Sequence, residues 1–243
     1  ALANGDAALK QALIGVFGET TLGQVYASRG VALAITTVNL SRSRSWVFKT
    51  PHLPHFYRDA GYQLVDVCLA TSSAPIYRSL AAIDSPHGLG FDVFVDGGLW
   101  ANNPVLVGLV ESLDLAAPQQ PIEIFSLGTC SQPTGKQLSK KELHRGLLEW
   151  QFGSEAAVAS ISAQEFAYDQ MARKLANHLN RPCKIIRFPR EELPAGVAPY
   201  LALDDTREKA YEALIGQARH DADMTCSQCN DTRNESGTLI RAL

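Results

Sequence analysis

Residues 94–105, "FVDGGLWANNPV", carry the side chains with the clearest chemical use. Asp96 ends a run of β-formers, Gly97 and Gly98 follow, and a doubled asparagine and Pro104 lead into the apolar Val105, Leu106, Leu109, Val110 and Leu113. Open α/β sheets collect their functional groups at the carboxyl ends of strands. Paired glycines permit positive φ and remove any Cβ that would crowd a substrate. Asn103 is a strong N-cap residue and Pro104 suits the first helical position. The expected product is an anchored carboxylate at a strand tip with open space in front of it. Taken alone, Asp-Gly-Gly between strand and helix is more often a plain tight turn.

Other reactive residues offer less. Ser72 and Ser73 stand near a helix end before Pro75, where a capping or packing role is expected. The six histidines build no triad: His52 and His55 fall in a proline-containing loop, His87 in a polar turn, and His144, His178 and His220 on solvent faces of helices. All six read as surface residues. The five cysteines have no framework spacing, which suits a reducing cytoplasm. Cys226 and Cys229 form a lone C-x-x-C near the C-terminus. A zinc site needs about four ligands, and only His220 is near enough to add a third, so the pair is read as free thiols in a flexible tail. No metal and no cofactor are expected.

The elements that would position Asp96 follow from patterning. An N-terminal helix is capped by Asn4 or Asp6 and stopped by Gly18. "VALAITTVNL" (31–40) is apolar on both faces, as in a strand inside a parallel sheet. Residues 41–58 read as a loop with Pro51 and Pro54, and 64–71 as a helix ended ahead of Pro75. Further strands are expected at 91–95, 121–128 and 183–188. A polar surface helix is expected at 137–150 and a longer one at 154–179, its stripe of Val158, Ile161, Tyr168, Met171, Leu175 and Leu179 buried and its Gln164 and Arg173 wet. Asp205 and Glu208 form a capping box that opens a last helix, ending near 220. Strands alternating with helices imply a parallel sheet with helices on its faces.

The bulk numbers bound the class. With 243 residues, 46% of them hydrophobic and 19% charged, the chain suits one soluble α/β domain. A net charge of −3 gives no reason to expect a nucleic-acid polymer as partner. No apolar run reaches the roughly 18 residues needed to cross a bilayer. The chain opens on Ala1 and its methionines are Met171 and Met224, so it reads as an N-terminally incomplete piece.

"VDGGLWANNP" resembles the second signature of the patatin-like phospholipases, in which Asp-Gly-Gly or Asp-Gly-Ala, a short spacer and Asn-Asn-Pro follow one another. "FGETTLGQV" (17–25), "VCLATSSAPIY" (67–77) and "FSLGTC" (125–130) resemble further family segments, in the family's order. The resemblance runs from about residue 15 to about 180. It implies a three-layer α/β/α fold with a mostly parallel central sheet, occupying 1–243 as a single domain that lacks its beginning. It also implies a Ser-Asp dyad: Asp96 as general base, Gly97, Gly98 and Asn103 shaping the site, and a serine that forms an acyl-enzyme. The substrate class implied is a phospholipid or other lipid ester, met by a cytoplasmic protein in transient contact with a membrane surface. Some bacterial members are switched on by a nucleotide in antiphage defence, which adds a cyclic-nucleotide activator to the expected partners. No residue pattern marks a pocket for one.

The family's G-x-S-x-G elbow does not occur in these 243 residues, nor does its glycine-rich oxyanion loop. Ser154 in "FGSEA" lacks the second glycine. Both missing elements precede, in the family, the segment where this chain begins. Two readings therefore stand: a lipid acyl hydrolase whose serine lies upstream, or a non-catalytic binding or regulatory module on the same fold.

Overall fold

The computed structural model describes residues 2–88, 90–129, 138–140, 143–189, 193–202, 205–231, 233–234, 237 and 240–241. Two compact units emerge, one of residues 1–120 with 147–180, the other of 121–146 with 181–243. The first unit carries Asp96.

Its sheet has four strands in the order β2-β1-β4-β3. They are β1 (Ala34–Asn39), β2 (Arg44–Lys49), β3 (Ala81–Asp84) and β4 (Phe91–Asp96). Every pairing in it is antiparallel. The expectation of a mostly parallel central sheet is thus not met by the larger sheet. The two strands that were expected, β1 and β4, themselves pair antiparallel, and the other two, β2 and β3, fall in stretches not read as strands. Each is joined to its neighbour by a short turn, and short turns force antiparallel hairpins. The β2 signal was in the chain: in "RSWVFK" Trp46 and Phe48 are buried, alternating with the less buried Ser45, Val47 and Lys49. β3 has only four residues, too few for a period to show.

The core of this unit is aromatic. Phe48 and Phe94 are fully buried, with ring centroids 5.1 Å apart. Trp46 and Tyr62 pack edge-on against them. Leu64, Val67 and Ala70 complete the cluster from α3 (Leu64–Thr71), whose limits are those read from the sequence. Helix α1 (Leu2–Phe17) ends at Gly18, whose φ of +54° suits glycine. Asp6 lies within this helix rather than capping it, and its carboxylate holds Arg78. A second helix, α2 (Leu22–Arg29), is closed at its start by a capping box between Thr21 and Gln24.

After β4 come the one-turn α4 (Gly98–Ala101) and α5 (Val105–Leu115), and then α6 (Ser154–Ala176), which packs on both. The buried side of α6 is not the one expected. Val158, Met171 and Leu175 are about half exposed or more, whereas Ala172 and Ala176 are buried. Ile161 is half-buried, and so are Gln164 and Arg173, which were expected wet. Small alanines let α6 approach its neighbours closely, and that contact sets the helix rotation; the larger apolar residues are left outside. Met171→Gln is therefore expected to change stability by no more than about 0.5 kcal/mol. Ala172→Leu, overpacking a buried site, is expected to cost about 1–3 kcal/mol. Chemical denaturation of the two variants checks this, and equal losses would contradict the observed phase.

In the second unit, β5 (Ile122–Leu127) and β6 (Cys183–Phe188) pair in parallel, residue for residue from Ile122↔Cys183 to Leu127↔Phe188. Helix α7 (Glu208–Asn230) runs ten residues past the expected end and contains Cys226 and Cys229, so the C-x-x-C is helical rather than part of a tail. The Asp205–Glu208 capping box does not form. Asp205 instead takes the backbone N–H and the guanidinium of Arg207, which hold its carboxyl down to about 2. The expected helix at 137–150 lies partly outside the described residues (137, 141 and 142), and residues 143–150 contain turns rather than a helix. Cys130 lies outside the described residues as well. No described helix is long and apolar enough to cross a membrane.

Candidate active site

Asp96 is the last residue of β4, an interior strand, and Val95 before it is buried. Two neighbours clamp the strand end. On one side β1 pairs Thr37 with Asp96, and the Thr37 hydroxyl donates to the Val95 carbonyl at 2.7 Å. On the other, the end of α3 accepts two backbone donors: Asp96 N–H to Ser73 O at 3.1 Å and Gly97 N–H to Thr71 O at 3.3 Å. The Thr71 hydroxyl then donates to Thr36 O at 2.6 Å. The Ala-Thr-Ser-Ser-Ala-Pro stretch is thus the cradle of the Asp96 turn. Thr36 and Thr37 were not singled out in the sequence. Their signal was a polar pair set between the apolar Ile35 and Val38.

Ser72 and Ser73 have the expected local roles, each hydroxyl donating to a carbonyl of its own helix, Cys68 and Leu69 respectively.

The two glycines are bare for steric reasons, not for positive φ. Gly97 is at φ −66° and Gly98 opens α4, so both have ordinary helical geometry. A Cβ on Gly97 would overlap the Thr36 carbonyl oxygen. A Cβ on Gly98 would sit 2.9 Å from Asn102 Oδ1 and 3.0 Å from Asp96 Oδ1. The Gly98 N–H donates to that same Asp96 Oδ1 at 2.6 Å, so the carboxylate curls back over its own turn. No other described residue donates to it. Asp96 is half-buried, and burial pushes its carboxyl above the ordinary value, against the opposing Gly98 hydrogen bond. A raised pKa makes the carboxylate a better proton acceptor than a solvated one.

The doubled asparagine ties this turn to α6. Asn102 Nδ2 reaches the Glu165 carboxylate and Asn103 Nδ2 the Glu165 carbonyl, both at 3.4 Å. Asn103 is buried, and its Oδ1 accepts the Val105 N–H at 3.1 Å, the first of α5, which begins one residue later than expected.

One histidine departs from its surface assignment. His52 is buried at 8% exposure, with Nδ1 2.8 Å from the Thr50 hydroxyl and Nε2 4.0 Å from Glu111 of α5. Burial lowers its pKa; the Glu111 carboxylate opposes this and Lys49 reinforces it. Folded His52 therefore stays neutral where the unfolded chain takes up a proton. Stability from this group is present above about pH 6.5 and falls as pH drops below it. His52→Asn is expected to flatten the fall in melting temperature between pH 7.5 and 5.5. Parallel curves for the two proteins would contradict this.

No family model matches the chain. It is similar to three proteins that share one name, cGAMP-activated phospholipase. One, from Pseudomonas aeruginosa, is 37% identical over 171 residues, covering 70% of this chain and 47% of the relative. Another, from Vibrio cholerae, is 36% identical over 197 residues, or 76% and 53%. A third, from Escherichia coli, is 29% identical over 211 residues, or 82% and 57%. The chain spans about half the length of the curated relatives it matches.

Proposed function

We propose that this chain is part of a patatin-like phospholipase in which Asp96 is the general base of a Ser-Asp dyad. The serine comes from a segment of the polypeptide outside these 243 residues. The observation that carries the reading is the half-buried Asp96 carboxylate, held at the end of an interior strand by one backbone N–H, with its pKa raised by burial. The similarity to phospholipases over at least 70% of the chain supports it.

In this mechanism Asp96 takes the serine proton as the serine oxygen attacks the lipid ester carbonyl. The tetrahedral intermediate collapses, the lysolipid leaves with that proton, and the acyl group stays on the serine. Water, deprotonated by the same carboxylate, then releases the fatty acid. Gly98 aims the carboxylate, Gly97 lets β4 approach β1, and Asn103 anchors the following helix. The protein meets its substrate transiently at a membrane surface, within a three-layer fold completed by the rest of the polypeptide. By analogy with the relatives' name, a cyclic dinucleotide switches it on.

The test is release of fatty acid from phospholipid vesicles by the full-length protein, with and without cGAMP. Release that rises with cGAMP is the expected result. A folded protein that releases none at any cGAMP concentration would instead be a binding or regulatory module.

A further inference from the structure

We propose that the cavity lined by Lys49, His55, Phe56, Tyr57, Arg58, Asp59 and His87 is where a nucleotide phosphodiester binds, and that it signals to the Asp96 turn through Glu111. The inference rests on the reading that a cyclic dinucleotide activates the protein. The cavity measures about 550 Å³, within the range of small-molecule sites.

Its lining sets the cations Lys49 and Arg58 beside the aromatic rings of Phe56 and Tyr57, the kind of pairing that binds phosphates and bases together. The Arg58 guanidinium lies 3.8 Å over the Trp46 ring and is oriented by Asp59, which takes its Nε and Nη2 at 2.7 Å each. Asp59 is itself buried and also accepts the Lys49 backbone N–H at 3.0 Å, so the acidic group in the lining is already engaged by donors. Lys49 Nζ sits 4.2 Å from the centre of the Phe56 ring. His55 stacks edge-on against the same ring at 4.4 Å. Tyr57 is 73% exposed, an aromatic face offered to a base.

The position links the cavity to the proposed chemistry. Lys49 ends β2 opposite Ala34, and Asp96 ends β4 opposite Thr37, so both stand at one end of the sheet with β1 between them. Three residues separate the two registers, about 10 Å along the strand. Lys49 Nζ is also 2.6 Å from Glu111 on α5, the helix that follows the Asp96 turn. A phosphate at Lys49 competes with Glu111 for the ammonium. Loosening that pair frees α5 and, through Asn103, the turn that holds Asp96.

Calorimetric titration of the full-length protein with cGAMP tests this. Lys49→Gln is expected to weaken binding at least tenfold and Tyr57→Ala about tenfold. Glu111→Gln, which removes the competitor, is expected to tighten it severalfold; a purely structural role for the pair would weaken it in both charge variants. Tyr57 is exposed enough to be replaced without unfolding, so the test survives a failure of Lys49→Gln to fold. Unchanged affinity in folded Lys49→Gln and Tyr57→Ala would overturn the site and leave nucleotide activation standing. A wild-type protein that binds no cGAMP would overturn both, and leave Asp96-dependent hydrolysis to be judged alone. If Lys49→Gln instead reduces retention on phosphatidylglycerol vesicles while cGAMP binding is unchanged, the cavity holds a lipid headgroup and the proposal fails.

Discussion

Asp96→Asn in the full-length protein is expected to lose ester hydrolysis by about 10,000-fold or more while melting at or above the wild-type temperature. Asparagine keeps the shape of the side chain, and its Oδ1 still accepts the Gly98 N–H that now binds the carboxylate at 2.6 Å. What it cannot do is take a proton. In a dyad no histidine shares that task, and the histidine nearest the sheet end by sequence, His52, is turned to Thr50 and Glu111. Burial raises the Asp96 pKa, so the folded state holds an unfavourable charge at neutral pH. Stability from this group is greatest when it is protonated and declines as pH rises through its folded pKa. Removing the charge relieves that cost, which is why the melting temperature is expected to hold or rise. Vesicle hydrolysis measured beside calorimetric melting separates the two effects. A folded variant with wild-type turnover would reduce Asp96 to a turn residue.

Gly97→Ala is expected to be the costliest small substitution in the turn, at about 3 kcal/mol or slightly more. The added Cβ meets the Thr36 carbonyl, which is backbone and cannot rotate away. Relief requires β1 and β4 to separate where Thr37 faces Asp96. That movement strains the Thr71 bond to Thr36 O and the Trp100 Nε1 bond to Thr37 O. Gly98→Ala makes the useful contrast. Its Cβ meets the side chains of Asn102 and Asp96, which can shift, so stability falls less. The group displaced is the proposed base itself, so hydrolysis falls more than stability does. Denaturation midpoints for the two variants check the order. A Gly97→Ala protein as stable as wild type would mean that the strands part at that point without cost.

Much of the local structure was legible in residue order. Helix α3 and strand β6 have the limits that patterning assigned to them, because capping, proline and apolar runs act within a few residues. The strand, glycine and helix succession around Asp96 was legible for the same reason. Strand direction was not: β1 and β4 come from distant parts of the chain and pair antiparallel, a relation that no local period records. The rotation of α6 was decided by which small residues let another helix come close, so Ala172 is buried and Met171 is not. Gly97 shows the division within one residue. Its type announces that a Cβ is unwelcome, but only the tertiary structure supplies the reason, a carbonyl on a strand some sixty positions earlier, at Thr36. Lys49, Arg58 and His87 share a cavity by the same rule: long-range pairing brings distant residues together, and the order of residues along the chain does not encode that proximity in any local pattern.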